Sequence, residues 1–327
     1  RWESFRISNI IISDMFLNCH SYHSLRYGTI SVKELVQQCV ELNIQVAALT
    51  DINTITGVYD FHRLCRMHGI KPVVGMEIRN DNNLYYICLA KSKHGLGEIN
   101  SLLTGHNCEG KELPKHHPFF SDVFTIYPLS DFPAKLKSNE YIGVRPEELN
   151  LLVNPKLIRY LSRMVILQPV TFRTKKEYNL HRILRAIDLN TLITKLEEND
   201  YCKENEKLIP VNDLLSAYRQ YPQIIQNTTW MLEQCHFEFD YTIPKNKKHF
   251  TGSKESDFRL LQELAYKGLK ERYPHDKGTA KARVEKELTV INLLNFSAYF
   301  LSHGTLYSIA IQWDLCTWEE EAVRTAS

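Results

Sequence analysis

Three side chains able to bind a metal ion or move a proton fall where short apolar runs end. His20 follows Met15-Phe16-Leu17, Asp51 follows Ala47-Ala48-Leu49-Thr50, and Glu77 follows Val73-Val74-Gly75-Met76. An imidazole and two carboxylates brought together suit a hydrolytic metal site or general acid and base work. In a β/α barrel the side chains at strand C-terminal ends converge on one mouth, so the position of the three matters as much as their type. Each has an ordinary reading as well: Asp51 as a turn cap, Glu77 as a surface strand residue, His20 as a structural histidine. His116 and His117 lie in a Lys- and Pro-rich loop and are expected to be solvated, not ligating.

The elements that would position the trio alternate between strand and helix patterns. Strands are expected at Met15 to His20, Val46 to Asp51, Pro72 to Ile78, Leu84 to Ala90, Val123 to Tyr127 and Val165 to Phe172. Ser31 and Glu34 make a capping box that opens a helix with Leu35, Val36, Cys39 and Leu42 on one face. Further helices read at Val58 to His68, Leu96 to Thr104, Pro155 to Ser162 and Lys175 to Leu189. This βα alternation predicts an α/β fold around a parallel sheet or barrel. From Pro210 the pattern turns helical, at Val211 to Tyr218, Pro222 to Gln234, Glu255 to Arg272 and Thr279 to Leu294. The Lys-rich stretch Tyr241 to Ser253, with Pro244 and Gly252, is the expected linker. Beyond it, Phe258, Leu261, Ala265 and Leu269 form an apolar stripe expected to be exposed.

The chain has 327 residues, 43% hydrophobic and 24% charged, enough for one large or two ordinary domains. Its 40 basic and 38 acidic residues leave a net charge of +2, so contact with nucleic acid or an anionic membrane must rest on local patches. No apolar run reaches the roughly 20 residues of a membrane helix, and the expected location is cytoplasmic. Eight scattered cysteines without a C-x-x-C pair read as reduced structural thiols. Residue 1 is Arg and the first methionine is Met15, so segment 1–14 is expected to be a non-native lead.

The segment Asn18-Cys19-His20-Ser21-Tyr22-His23-Ser24-Leu25-Arg26-Tyr27-Gly28 resembles H-x-H-x-x-Y-S-L-x-D-G. That pattern opens the PHP domain in the family of bacterial DNA polymerase III alpha subunits. Ala48-Leu49-Thr50-Asp51-Ile52-Asn53 resembles the family's A-L-T-D-H-G, and Gly69-Ile70-Lys71-Pro72-Val73-Val74-Gly75-Met76-Glu77 its G-I-K-P-I-x-G-x-E. The resemblance runs from Met15 to Leu301, including Gly268 to Tyr273 and Glu287 to Ile291 at the start of the palm region. It implies a PHP-type distorted (β/α)7 barrel at 15–240, a linker at 241–253 and the helical start of the polymerase palm at 254–301.

In active PHP domains His and acidic ligands hold a metal cluster that activates water for phosphoester hydrolysis. Here the resemblance puts Asn18 and Tyr27 at ligand positions of the first motif and Ile52 at the His after Asp51. Pro169 and Thr171 stand for the Asp and His of a later N-D-x-H. His20, Asp51 and Glu77 are the remnants, so the barrel is expected to be metal-free, with no residual zinc or manganese and no phosphoesterase activity. Arg173, His181 or water is expected to fill the polar space. The alternative is a stand-alone metal-dependent PHP phosphoesterase or 3′-5′ exonuclease.

The family's polymerase carboxylates and their magnesium lie beyond the matched stretch, so the chain itself is expected to be inactive as a polymerase, with no catalytic or nucleotide-binding residues. After Leu301 the family reads close to I-T-W-D-I-I, whereas this chain reads Ser302-His303-Gly304-Thr305-Leu306-Tyr307. With suitable codons, a one-base shift converts Ser302 to Leu306 into I-T-W-D-I and Trp318 to Ser327 into V-G-R-G-S-G-A-N-S-I. The expectation is a truncated chain whose tail 302–327 is frameshifted and carries no evolved fold. Through the intact parent, the implied partners are primed DNA, the sliding clamp and, at the PHP domain, a proofreading exonuclease. The parent is either the main replicative enzyme or an error-prone paralogue.

Overall fold

The computed structural model describes residues 15–80, 82–116, 120–236, 238–242 and 248–312. The lead 1–14, His117 and the last part of the tail, 313–327, lie outside the described residues. The chain divides into two compact units, Arg1–Phe239 and Asp240–Ser327.

The first unit is built on eight strands: β1 Met15–Cys19, β2 Val46–Leu49, β3 Lys71–Asn80, β4 Asn83–Ala90, β5 Val123–Pro128, β6 Glu140–Val144, β7 Met164–Ile166 and β8 Pro169–Val170. Helices α1 Val32–Glu41, α2 Val58–Met67, α3 Lys93–Glu109, α4 Pro155–Ile158, α5 Lys175–Asp188, α6 Val211–Ala217 and α7 Pro222–Glu233 complete it. The strand order is β7-β6-β5-β4-β3-β2-β1-β8. Only Leu167 and Gln168 separate β7 from β8, so these are halves of one extended stretch. One half pairs with β6 and the other with β1, which joins the two edges of the sheet. The result is a distorted α/β barrel of seven staves, as the resemblance implied. Its distortion is β4, antiparallel to both β3 and β5.

Local chemistry explains most of these elements. Ser31 accepts the Glu34 amide while Glu34 accepts the Ser31 amide, completing the expected box at α1. Asn43, at φ 54°, ends that turn in the left-handed region that Asn tolerates. The strands are apolar on both faces because helices cover one side and the barrel interior fills the other. Burial of Val73, Val74, Met76, Ile87, Cys88, Leu89, Ile126 and Ile142 follows from that.

The helix expected at Pro155 to Ser162 is α-helical only over Pro155–Ile158, and several other elements differ from the sequence expectation. Strand β6 lies outside it, since Glu140-Tyr141-Ile142-Gly143-Val144 is short and interrupted by glycine. The expected strand Val165 to Phe172 is broken at Leu167-Gln168, where Pro169 brings no amide hydrogen to the ladder. Helix α3 begins three residues early, at Lys93, because Ser92 caps it by accepting the His94 amide.

The second unit contains α8 Lys254–Arg272, α9 Thr279–Leu293 and α10 Ser297–Gln312, with α8 packed on both others. The stripe Phe258, Leu261, Ala265 and Leu269 is half-buried, not exposed, because these helices cover it. Exposed apolar side chains lie instead on α9, α10 and the turn between them, with Leu293 82% and Tyr299 65% accessible. The tail from Ser302 continues as part of α10 to Gln312, its side chains exposed from Ser302 to Ile309.

Among the described residues no helix is long and apolar enough to cross a membrane. The seven described cysteines are free thiols, all buried except Cys108.

Candidate functional site

The strand periodicity of two places Asn18 and His20 on one face at the end of β1, and Glu77 and Arg79 on one face of β3. Because β1, β2 and β3 run parallel, their C-terminal ends meet, and Thr50, Asp51 and Thr171 arrive at the same end of the barrel. All of these except Arg79, whose side chain is 10% accessible, are essentially sealed from solvent.

Glu77 is the hub. Its Oε2 accepts from Asn18 Nδ2 at 2.8 Å and from His20 Nε2 at 3.0 Å, and its Oε1 accepts from Arg79 Nε. Thr50 Oγ1 donates to Asn18 Oδ1 at 2.6 Å, which orients the amide so that its NH2 faces Glu77. On the other side of the imidazole, His20 Nδ1 lies 3.1 Å from Thr171 Oγ1. That hydroxyl donates to Glu206 Oε2 at 3.3 Å, and Arg145 Nη1 donates to Glu206 Oε1 at 2.9 Å. The Arg79 guanidinium also covers the Tyr27 ring at 4.5 Å. The whole is a continuous polar network from β3 through β1 to the loop before α6.

Its charges are balanced internally. Burial raises the Glu77 carboxyl, but the Arg79 guanidinium, then His20 and Asn18, outweigh it and hold Glu77 far below the usual carboxylate range. Burial likewise disfavours the Arg79 cation, and Glu77 more than restores it. Burial keeps the Tyr27 phenol protonated.

The remaining sequence candidates fall elsewhere. Asp51 joins no metal-like grouping. It accepts the Ser21 amide at 2.6 Å, Ser21 Oγ at 2.8 Å and Ser24 Oγ at 2.7 Å, closing the turn after β1. Gly28 lets this loop fold back, since a Cβ there would stand 1.8 Å from the Ser21 carbonyl oxygen. Ile52, half-buried, bridges to Glu77 through backbone. Pro169 pairs with Asn18 in the sheet.

Of the groups expected to fill the polar space, Arg173 lies away from it at the start of α5, bound to Glu34 and Glu177. His181 sits behind Tyr27, its Nδ1–H donating to Tyr27 O at 2.7 Å and its Nε2 accepting the Cys202 amide at 2.9 Å. Burial lowers the His181 pKa to about 4. His116 is exposed.

Arg79, Arg145 and Glu206 are members of the site that the sequence expectation leaves out. Arg79 carries a signal in its i, i+2 spacing from Glu77 on a strand. Glu206, within the charged stretch Lys203-Glu204-Asn205-Glu206-Lys207, looks like any solvated loop residue.

These residues do not fit a multi-metal cluster. Both oxygens of Glu77 are engaged by internal donors, Asn18 presents N–H and not a lone pair, and the cation beside the carboxylate is Arg79. Ile52 and Pro169 carry no side-chain donor atom for a metal. Among the described residues no group of three or more His, Cys, Asp or Glu is arranged to hold an ion.

Residues 17–130 match the family model described as PHP domain. The chain is 23% identical to the DNA polymerase III subunit alpha of Halalkalibacterium halodurans, over 95% of this chain and 30% of that protein. It is also 23% identical to an error-prone DNA polymerase of Symbiobacterium thermophilum, over 89% of this chain and 31% of that protein. Among solved structures, a putative metal-dependent phosphoesterase from Bifidobacterium adolescentis aligns over 63% of this chain and 96% of its own, at 12% identity and a TM-score of 0.25. The chain thus spans about a third of the length of the polymerases it matches. It is similar to bacterial DNA polymerase III alpha subunits, and its residues 17–130 match the PHP domain.

Proposed function

We propose that this chain serves as the front part of a DNA polymerase III alpha-type subunit, and that its PHP barrel is structural and does not hydrolyse phosphoesters. The observation that carries the second claim is the state of Glu77: a buried carboxylate already engaged by Asn18, His20 and Arg79. A metal ion entering here would have to break charge-assisted bonds inside a dry site and displace a resident cation.

On this reading DNA-templated synthesis, with its magnesium and its nucleotide, belongs to parts of the parent protein beyond the stretch matched here. The contacts with primed DNA and the sliding clamp belong there as well. The barrel supports the polymerase and offers a docking face to a proofreading exonuclease, in the cytoplasm.

Two measurements test the reading together: elemental analysis of the purified protein, and hydrolysis of a phosphodiester and of 3′-terminal nucleotides with added manganese. Less than about a tenth of a metal ion per chain and no turnover above a His20→Ala control are expected. Two or more tightly held zinc or manganese ions, or manganese-dependent hydrolysis lost in His20→Ala, would favour a phosphoesterase or exonuclease instead.

A further inference from the structure

Resting on the metal-free reading, the network at the barrel mouth suggests a further role. We infer that Arg79 is a resident cation that neutralises the buried Glu77 carboxylate as bound metal would.

A carboxylate sealed from water needs a compensating charge close by. At Glu77 that charge is the Arg79 guanidinium, two residues along the same strand and 10% accessible. Its contact has the character of a placed group: Nε is aimed at Oε1, and the planar cation lies on the Tyr27 ring at 4.5 Å. Tyr27 is at one of the positions that the sequence resemblance assigns to a lost ligand.

The second arginine repeats the device. Arg145, 18% accessible, follows β6 and pairs with Glu206, which receives the Thr171 hydroxyl. Thr171 follows β8, and His20 follows β1. These two strands form the closing pair of the barrel, and that pairing is only two residues long. Of these side chains, His20 and Thr171 meet across the β1–β8 pair.

The test is a double-mutant cycle on Glu77 and Arg79, followed by thermal unfolding of the full chain, with metal content measured on every variant. Arg79→Met leaves the buried carboxylate without the guanidinium beside it, and should lower Tm by about 10 °C. Arg79→Lys, which keeps a cation without the planar fork, should recover about half of that loss. Glu77→Gln combined with Arg79→Met removes both charges and should melt within about 3 °C of the parent. A merely space-filling arginine predicts instead that the lysine and methionine variants behave alike and that the double substitution is the least stable. Either result overturns the inference, as does Arg79→Met melting with the parent. Bound metal in the parent protein would instead overturn the reading on which the inference rests.

Discussion

At the scale of single residues, the site separates polar groups that look alike in the sequence. Asp51 and Glu77 both follow apolar runs, yet one receives Ser21 and Ser24 and the other receives Asn18, His20 and Arg79. Asp51→Ala would orphan two hydroxyls and a backbone amide in a sealed turn, so chemical denaturation should show a loss of about 3 kcal/mol. An equal stability in the variant would show that the turn closes by other means.

His181 makes a different prediction, read from pH. Its folded pKa of about 4 lies below the ordinary 6.5, because burial disfavours the cation. The unfolded chain therefore binds a proton first as the solution is acidified. The neutral imidazole contributes stability that is present in full above pH 6.5 and fades as the pH falls towards 4, by about 3 kcal/mol at most. His181→Gln should flatten that part of the stability profile. A profile between pH 6.5 and 4 that is unchanged in the variant would contradict this account.

At the scale of elements, turns and caps decide how the mouth is assembled. The loop between β1 and α1 carries Ser21, Ser24, Tyr27 and Gly28, and it must fold tightly against itself for Asp51 to be satisfied. Gly28→Ala would place a methyl group 1.8 Å from the Ser21 carbonyl oxygen, so the loop must shift. The expected outcome is a fall in Tm of several degrees, together with faster amide exchange at Ser21 and Ser24. A variant that melts and exchanges like the parent would mean that the loop has slack. The same scale shows why the strand pattern misleads at β7 and β8. Apolar composition reports burial, whereas the break at Leu167-Gln168 arises because the two halves pair with different neighbours.

At the scale of the whole molecule, the barrel and the helical unit have separate cores. The barrel keeps its apolar residues on the strands and the inner faces of its helices. The helical unit buries few side chains completely, Leu288 and Leu301 among them. A chain ending at Phe239 should therefore fold by itself, with a cooperative thermal transition and the full barrel circular dichroism. Failure of that shorter chain to fold would show that the barrel depends on the helices from Lys254 onward.

Much of this protein is legible from residues alone. The capping box at Ser31, the βα alternation and the motif resemblance around His20, Asp51 and Glu77 point to the barrel and to the polar residues at its mouth, because these signals are local in sequence. Residue types do not single out the occupant of the mouth, since Arg173, His181 and water are the expected candidates and Arg79 stands beside Glu77. Arg79 and Arg173 are equally arginines in the sequence, and only the strand geometry of β3 brings one of them against Glu77. The pairing of Glu206 with Arg145, 61 residues apart, has no local trace either. Motif and periodicity determine which elements form and which polar residues end the strands at the mouth. Tertiary structure decides which distant charges meet, because in a sealed site each buried charge must find a partner wherever the fold brings one.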